Sequence, residues 1–317
     1  MKSKHIYKSI ACGVLLALTA TSCDLDYNPV DSYSDVTEGV DKTDEKPIFN
    51  SVQDVETSMV TLHKKFRDQQ EHWYVDKLLI GDAHSDNAYA GTTGAEVVPY
   101  ETNSIEGSNS VLKRDWDRFL GDIAEANRII VGCEQLKALS DSERGKYQSQ
   151  AKIFRAMVMF DMVRLWGNFP VITTVGGDIT EDNVEEMYPT YFPPQNTAEE
   201  AYAQIEKDLT EAVENPNTPT NDASDKSILT KSVARAMLAK VYAEKPLRDY
   251  AKVIKYADEL AADGFDLVED FSDLWAYDTE KKDCRVRNTK EAILEAHFPP
   301  GSGNWCTWMF GRNLSNW

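Results

Sequence analysis

The stretch from Ser140 to Pro170 most narrows what this chain can fold into. Ser140-Asp141-Ser142-Glu143 is a capping box, in which a hydroxyl and a carboxylate satisfy backbone N–H groups that a helix start leaves open. Apolar residues then recur at Tyr147, Ala151, Phe154, Val158, Met162 and Leu165, which is helical spacing. Gly167-Asn168 tolerates the left-handed conformation that ends a helix, and Pro170 cannot continue one.

A stripe of this kind needs partners, and the chain supplies them. Ser51, with Asp54 three residues on, opens a helix carrying Val55, Met59, Leu62 and Phe66. Trp116, Phe119, Ile123, Ala126 and Ile130 form another stripe. Thr197 with Glu200 caps a helix through Glu214, and Pro216 and Pro219 break the chain after it. Residues 229–264 read as a helix pair turning at Pro246. Leu238, Ala239 and Tyr242 lie on its first helix, and Tyr250, Val253, Ile254 and Ala257 on its second. The pair is similar to a tetratricopeptide repeat, with a turn about two residues longer. Residues 71–110 read as a long loop carrying Gly81, Gly91, Gly94, Pro99 and Gly107, and a loop of that length is usually functional. Glu291–Phe298 reads as a strand, with a short helix as the alternative. The expected fold class is therefore mainly all-α, with long loops and minor β content.

The N-terminus carries a different message. Lys2, Lys4 and Lys8 precede Ile10–Ala20, which has no charge and is too short to span a bilayer. This is the pattern of a secretory signal over residues 1–22, the alternative being a buried N-terminal helix. Residues 23–50 are polar and acidic and read as a tether, leaving 51–317 for the helical domain. The net charge is −19, and removing the lysine-bearing leader makes it more negative still. Such a surface repels phosphate backbones, so no nucleic-acid partner is expected. Cys133, Cys284 and Cys306 lack CxxC spacing and read as small, mostly buried thiols.

Catalytic signatures are missing from the sequence. It contains no nucleophile elbow, phosphate loop or HExxH. The loop Gly81–Asn87 fails as a calcium loop, since its sixth position is Asn87 and its twelfth Thr93. Asp82, Asp86 and Asn87 are expected to pin that loop instead. Arg155 and Arg164, with Asp161 one turn before the latter, read as ion-paired helix residues rather than ligand clamps. No metal and no cofactor is expected. Trp305, Trp308, Phe310 and Trp317 crowd the last 13 residues. Flat aromatic faces suit the apolar faces of sugars, and an amide such as Asn304 can bond hydroxyls. The alternative is that these rings are buried by further packing.

Several segments together resemble the SusD/RagB family. Ala151–Thr173 (AKIFRAMVMFDMVRLWGNFPVIT) is its most recognisable part. Asp115–Ile130, Leu229–Glu244 and EAILEAHF follow the family's order. Ala20-Thr21-Ser22-Cys23 resembles a lipobox, with Ala20 where Leu is usual. The resemblance implies a SusD-like fold of tetratricopeptide-like pairs, lipidation at Cys23 and a lipid anchor in the outer membrane. Asp24 and Asp26 would then serve as a surface-export signal. It further implies an oligosaccharide or other nutrient ligand, a SusC-like TonB-dependent transporter as partner, and no enzymatic activity. By region, Tyr89, Tyr100, Trp305, Trp308 and Asn304 are the candidate ligand-binding residues. Family members usually run longer, so the chain reads as C-terminally shortened. A structural partner that docks on the transporter without binding ligand is the alternative, and a surface hydrolase ranks behind both.

Overall fold

The computed structural model describes residues 47–85, 87–89, 96–177, 184–274, 276–281 and 283–298. All belong to the unit that begins at Pro47. In chain order the helices are α1 (Val52–Asp68), α2 (Asp76–Leu78), α3 (Val98–Glu101), α4 (Ser110–Gln135), α5 (Asp141–Trp166), α6 (Val184–Tyr191), α7 (Ala198–Glu214), α8 (Lys231–Ala243) and α9 (Tyr250–Ala262). Strands β1 (Tyr277–Asp278) and β2 (Asp283–Cys284) form a small antiparallel pair, with Tyr277 opposite Cys284.

The helix starts form as their sequences dictate. Capping boxes close at Ser51–Asp54, Ser140–Glu143 and Thr197–Glu200. α5 ends at Gly167, whose φ of +72° is in the left-handed region that glycine adopts without strain. The helices then pack as a row: α1 on α4, α4 on α5, α5 on α7, α7 on α8 and α8 on α9. Consecutive elements stacking on one another is the tetratricopeptide-like logic, in which each unit buries its face on the next. Leu62, Phe119, Ile123, Phe154, Val158, Met162, Ile205 and Leu238 are fully buried along the row. Each such side chain contributes about 1.5–3 kcal/mol through removal from water.

One buried polar junction ties three helices together. The Arg155 guanidinium donates to both carboxylate oxygens of Asp208, at 2.8 and 2.7 Å, and to Asn127 Oδ1 at 2.7 Å. The Asn127 amide in turn donates to the Ile172 carbonyl at 2.9 Å. Arg155 is thus an interhelical ion-pair residue joining α5 to α7 and α4. Arg164 pairs with Glu244 at 3.1 Å, while Asp161 pairs with Lys77 rather than with Arg164.

Two expectations are corrected, for residues 71–83 and for Glu291–Phe298. Residues 71–83 are helical rather than loop: α2 is flanked by π-helical turns at Glu71–Val75 and Leu79–Ala83. The wider turns break the 3.6-residue period, and the segment buries His72 and Asp76 beside Trp73, so no apolar stripe is visible in the sequence. On α9 the buried residue is Tyr256, while Tyr250 and Ile254 are exposed and Val253 is half-buried. α9 ends the row of described helices and has α8 against one side only. Glu291–Phe298 is neither strand nor helix. It runs as an irregular segment whose Glu295 N–H donates to the Lys226 carbonyl at 2.8 Å.

Candidate functional site

A cavity of about 690 Å³ lies where the row of helices meets the irregular segment. Its wall comes from five stretches of chain. α1 gives Phe66; the π-helical turn and α2 give Trp73, Tyr74 and Lys77; α5 gives Met157, Phe160 and Asp161; α8 gives Met237 and Lys240; the irregular segment gives Leu294, Glu295, Ala296 and Phe298.

The floor is aromatic. The Trp73 ring packs 4.7 Å from Phe66 and 5.8 Å from Phe154, and Phe66 meets Phe154 edge-on at 5.0 Å. The Lys77 ammonium sits 4.7 Å above the Trp73 ring and pairs with Asp161, so a cation is held on the aromatic face. On the opposite side Glu295 pairs with His297 at 2.8 Å, and Arg287 donates to the Phe298 carbonyl at 3.2 Å. The segment that closes the cleft is thus fixed by its own polar bonds. An apolar hollow of this size with a few convergent polar groups has the make-up of a ligand site.

Behind the cleft, the 71–83 segment is bolted to α4 by charge. Asp76 pairs with Arg114, and Glu71 with Arg118 at 2.8 Å. Asp122 takes both Lys65 at 2.7 Å and His72 at 3.0 Å. Asp115 is less well served, with Arg114 Nε 3.7 Å from its Oδ1. It is 1% exposed, and both of its carboxylate oxygens lack a hydrogen-bond partner. Burial, with the adjacent Asp76 carboxylate as a further cause, pushes its carboxyl up to about 8. Burial likewise pushes the Cys133 thiol up to about 12. Cys133 and the exposed Cys284 are both free thiols.

The predicted ligand residues meet different fates. Tyr89 is 68% exposed and offers an open ring. Tyr100 is 1% exposed; its ring packs edge-on to His84 at 6.4 Å and its hydroxyl lies 3.5 Å from Asn109. α3 thus turns Tyr100 inward, and its ring face is buried in this structure. Cys23, Asn304, Trp305 and Trp308 lie outside the described residues. In the Gly81–Asn87 loop, Ser85 is the pin: its hydroxyl donates to the Asp82 carbonyl at 2.9 Å and accepts from the Asn87 N–H. The cleft residues Trp73, Tyr74, Lys77 and Phe298 were missed by sequence reasoning. The aromatic pair Trp73-Tyr74 was the available signal, obscured by its non-helical spacing.

The family model described as "Starch-binding associating with outer membrane" (SusD-like) matches residues 31–243. The chain belongs to the SusD-like family. A SusD-like protein from Bacteroides ovatus is 25% identical over an aligned 318 residues, covering 96% of this chain and 51% of the relative. Surface glycan-binding protein A from Bacteroides fluxus superposes with a TM-score of 0.62 at 20% identity, covering 81% of this chain and 52% of that one. Surface glycan-binding protein A from Bacteroides thetaiotaomicron, solved in complex with laminarihexaose, gives 0.57 at 16% identity over 71% and 46%. This SusD-like chain therefore spans about half the length of the relatives it matches, and its mainly helical architecture is theirs. The family is associated with the outer membrane.

Proposed function

We propose that this SusD-like chain is a surface-exposed outer-membrane lipoprotein, anchored through Cys23, that binds a glycan and hands it to a SusC-like TonB-dependent transporter without bond chemistry. The observation that carries the reading is the family match over residues 31–243, whose description names starch binding at the outer membrane. The laminarihexaose complex of a structural relative supports a glucan as the ligand to try first.

In this reading Trp305, Trp308 and the exposed Tyr89 supply flat faces for sugar rings, and Asn304 bonds their hydroxyls. The affinity comes from stacking plus hydrogen bonds, and the lipid chains keep the site at the membrane. The test is calorimetric titration of a Trp305→Ala/Trp308→Ala double variant with laminarin oligosaccharides. Each lost stacking face costs on the order of 1 kcal/mol, so the affinity falls at least several-fold. Unchanged affinity in the folded double variant refutes the assignment of those residues.

A further inference from the structure

We propose that the outward face of α6, with Tyr188 and Phe192, is a second glycan-binding surface, one that takes neutral sugars. The proposal rests on the glycan-binding reading above and adds a surface which that reading does not use. Its first support is that α6 serves no core. None of the described residues of α6 is buried. Tyr188 is 57% exposed, Tyr191 46% and the adjoining Phe192 65%. Large rings gathered in water are unfavourable, and such a patch marks a place where something binds.

The second support is that the rings are held. The Tyr191 hydroxyl donates to the Gly177 carbonyl, and its ring lies so close to Gly176 that a Cβ there would be 2.9 Å away. This clasp ties α6 to residues 176–177. The Phe192 N–H donates to the Tyr188 carbonyl at 2.9 Å, which carries the last turn one residue past Tyr191, and Pro193-Pro194 stop it there. Tyr188 and Phe192, four residues apart on one face, stack with ring centroids 4.8 Å apart and planes 28° apart. Each ring shields one face of the other, and the exposure of both leaves the remaining faces open. The third support is chemistry. Glu185 is exposed and lies three residues before Tyr188, on the same face. Aromatic faces flanked by a phenol and a carboxylate match a sugar, whose ring has an apolar face and a rim of hydroxyls. The same carboxylate, on a chain of net charge −19, repels a uronic-acid glycan. A helix of eight residues offers by itself far less than the roughly 800 Å² per partner of a standard protein interface, which favours a sugar over a protein.

The test starts from the full chain with Trp305→Ala/Trp308→Ala, so that only the α6 surface is read. Calorimetric titration with laminarihexaose still shows binding, and adding Tyr188→Ala/Phe192→Ala weakens it at least about fivefold. An oligogalacturonate of the same length binds the starting variant more weakly than laminarihexaose does. Neither α6 ring is buried, so an unchanged thermal melt certifies that the added pair leaves the fold intact. Residual affinity that the α6 pair leaves unchanged overturns the proposal, as does tighter binding of the oligogalacturonate. A wild type that binds while the starting variant does not also overturns it, and leaves the broader glycan-binding reading standing. A wild type that binds no laminarihexaose removes both together. Self-association in sedimentation that Tyr188→Ala/Phe192→Ala abolishes, with sugar affinity untouched, overturns the proposal by assigning the patch to a second copy.

Discussion

At the scale of single residues, the buried charges divide into the well satisfied and the poorly satisfied. Arg155 and Asp208 satisfy each other with two bonds, and Asn127 takes a third. Removing one partner leaves the other buried and alone, a loss of about 3–5 kcal/mol. Arg155→Met should therefore lower the urea midpoint sharply, and adding Asp208→Leu should restore much of it; a double variant no more stable than the single contradicts this. Asp115 is the poorly satisfied case, with Arg114 Nε 3.7 Å away and no hydrogen bond to either oxygen. Its native carboxyl titrates near 8, whereas an unfolded aspartate titrates near 3.9. The folded state thus holds a proton that the unfolded chain has already released. Its contribution to stability is fully present below the unfolded value and is lost as pH rises through about 8. Asp115→Asn keeps the shape without the titration. Its stability relative to the parent should climb between about pH 4 and pH 8, as read by denaturant melts at each pH. A constant difference over that range would count against it.

At the scale of elements, the helices owe their ends to local chemistry and their positions to close contact. The boxes at Ser51, Ser140 and Thr197 form where their sequences place them. The α4 contact with the chain before α1 is different, because it depends on a missing side chain. A Cβ on Gly132 would lie 2.4 Å from the Phe49 ring, which is buried at 1% exposure. Gly132→Ala should accordingly cost about 1–3 kcal/mol by overpacking, despite alanine's better helix propensity. A thermal melt no lower than the parent's would show that Phe49 moves aside freely. Nothing in the sequence around Gly132 distinguishes it from a tolerated helix glycine, because its partner is more than 80 residues away. The 71–83 segment was hidden for a related reason. Its π-helical turns displace Trp73 and Tyr74 from any regular stripe, and ion pairs from α4 and α5 hold it alongside the buried Trp73 ring.

At the scale of the whole molecule, the SusD-like chain carries a net charge of −19 and a leader-like N-terminus. The proposed anchoring has a direct test: in a Bacteroides host, Cys23→Ser should abolish incorporation of labelled palmitate and release the protein from the outer-membrane fraction. Retention of both label and location would remove Cys23 from its role. The acyl chains on Cys23 are the only membrane attachment this reading invokes, so complete loss on removing that residue is the expected size of effect.

Helices α1, α4, α5, α7 and α8, the caps at Ser51, Ser140 and Thr197 and the stop at Gly167 were determined by the sequence alone. Those features rest on hydrogen bonds within four residues and on a period that repeats every turn. The tertiary structure alone decided that Tyr100 is buried while Tyr89 stays open, and that α9 leaves Tyr250 and Ile254 in solvent. It also decided that Phe66, Trp73, Met157, Met237 and Phe298 share one cleft. Burial and cavities are set by which distant surfaces meet, and no local pattern encodes the distance between residues that far apart in the chain.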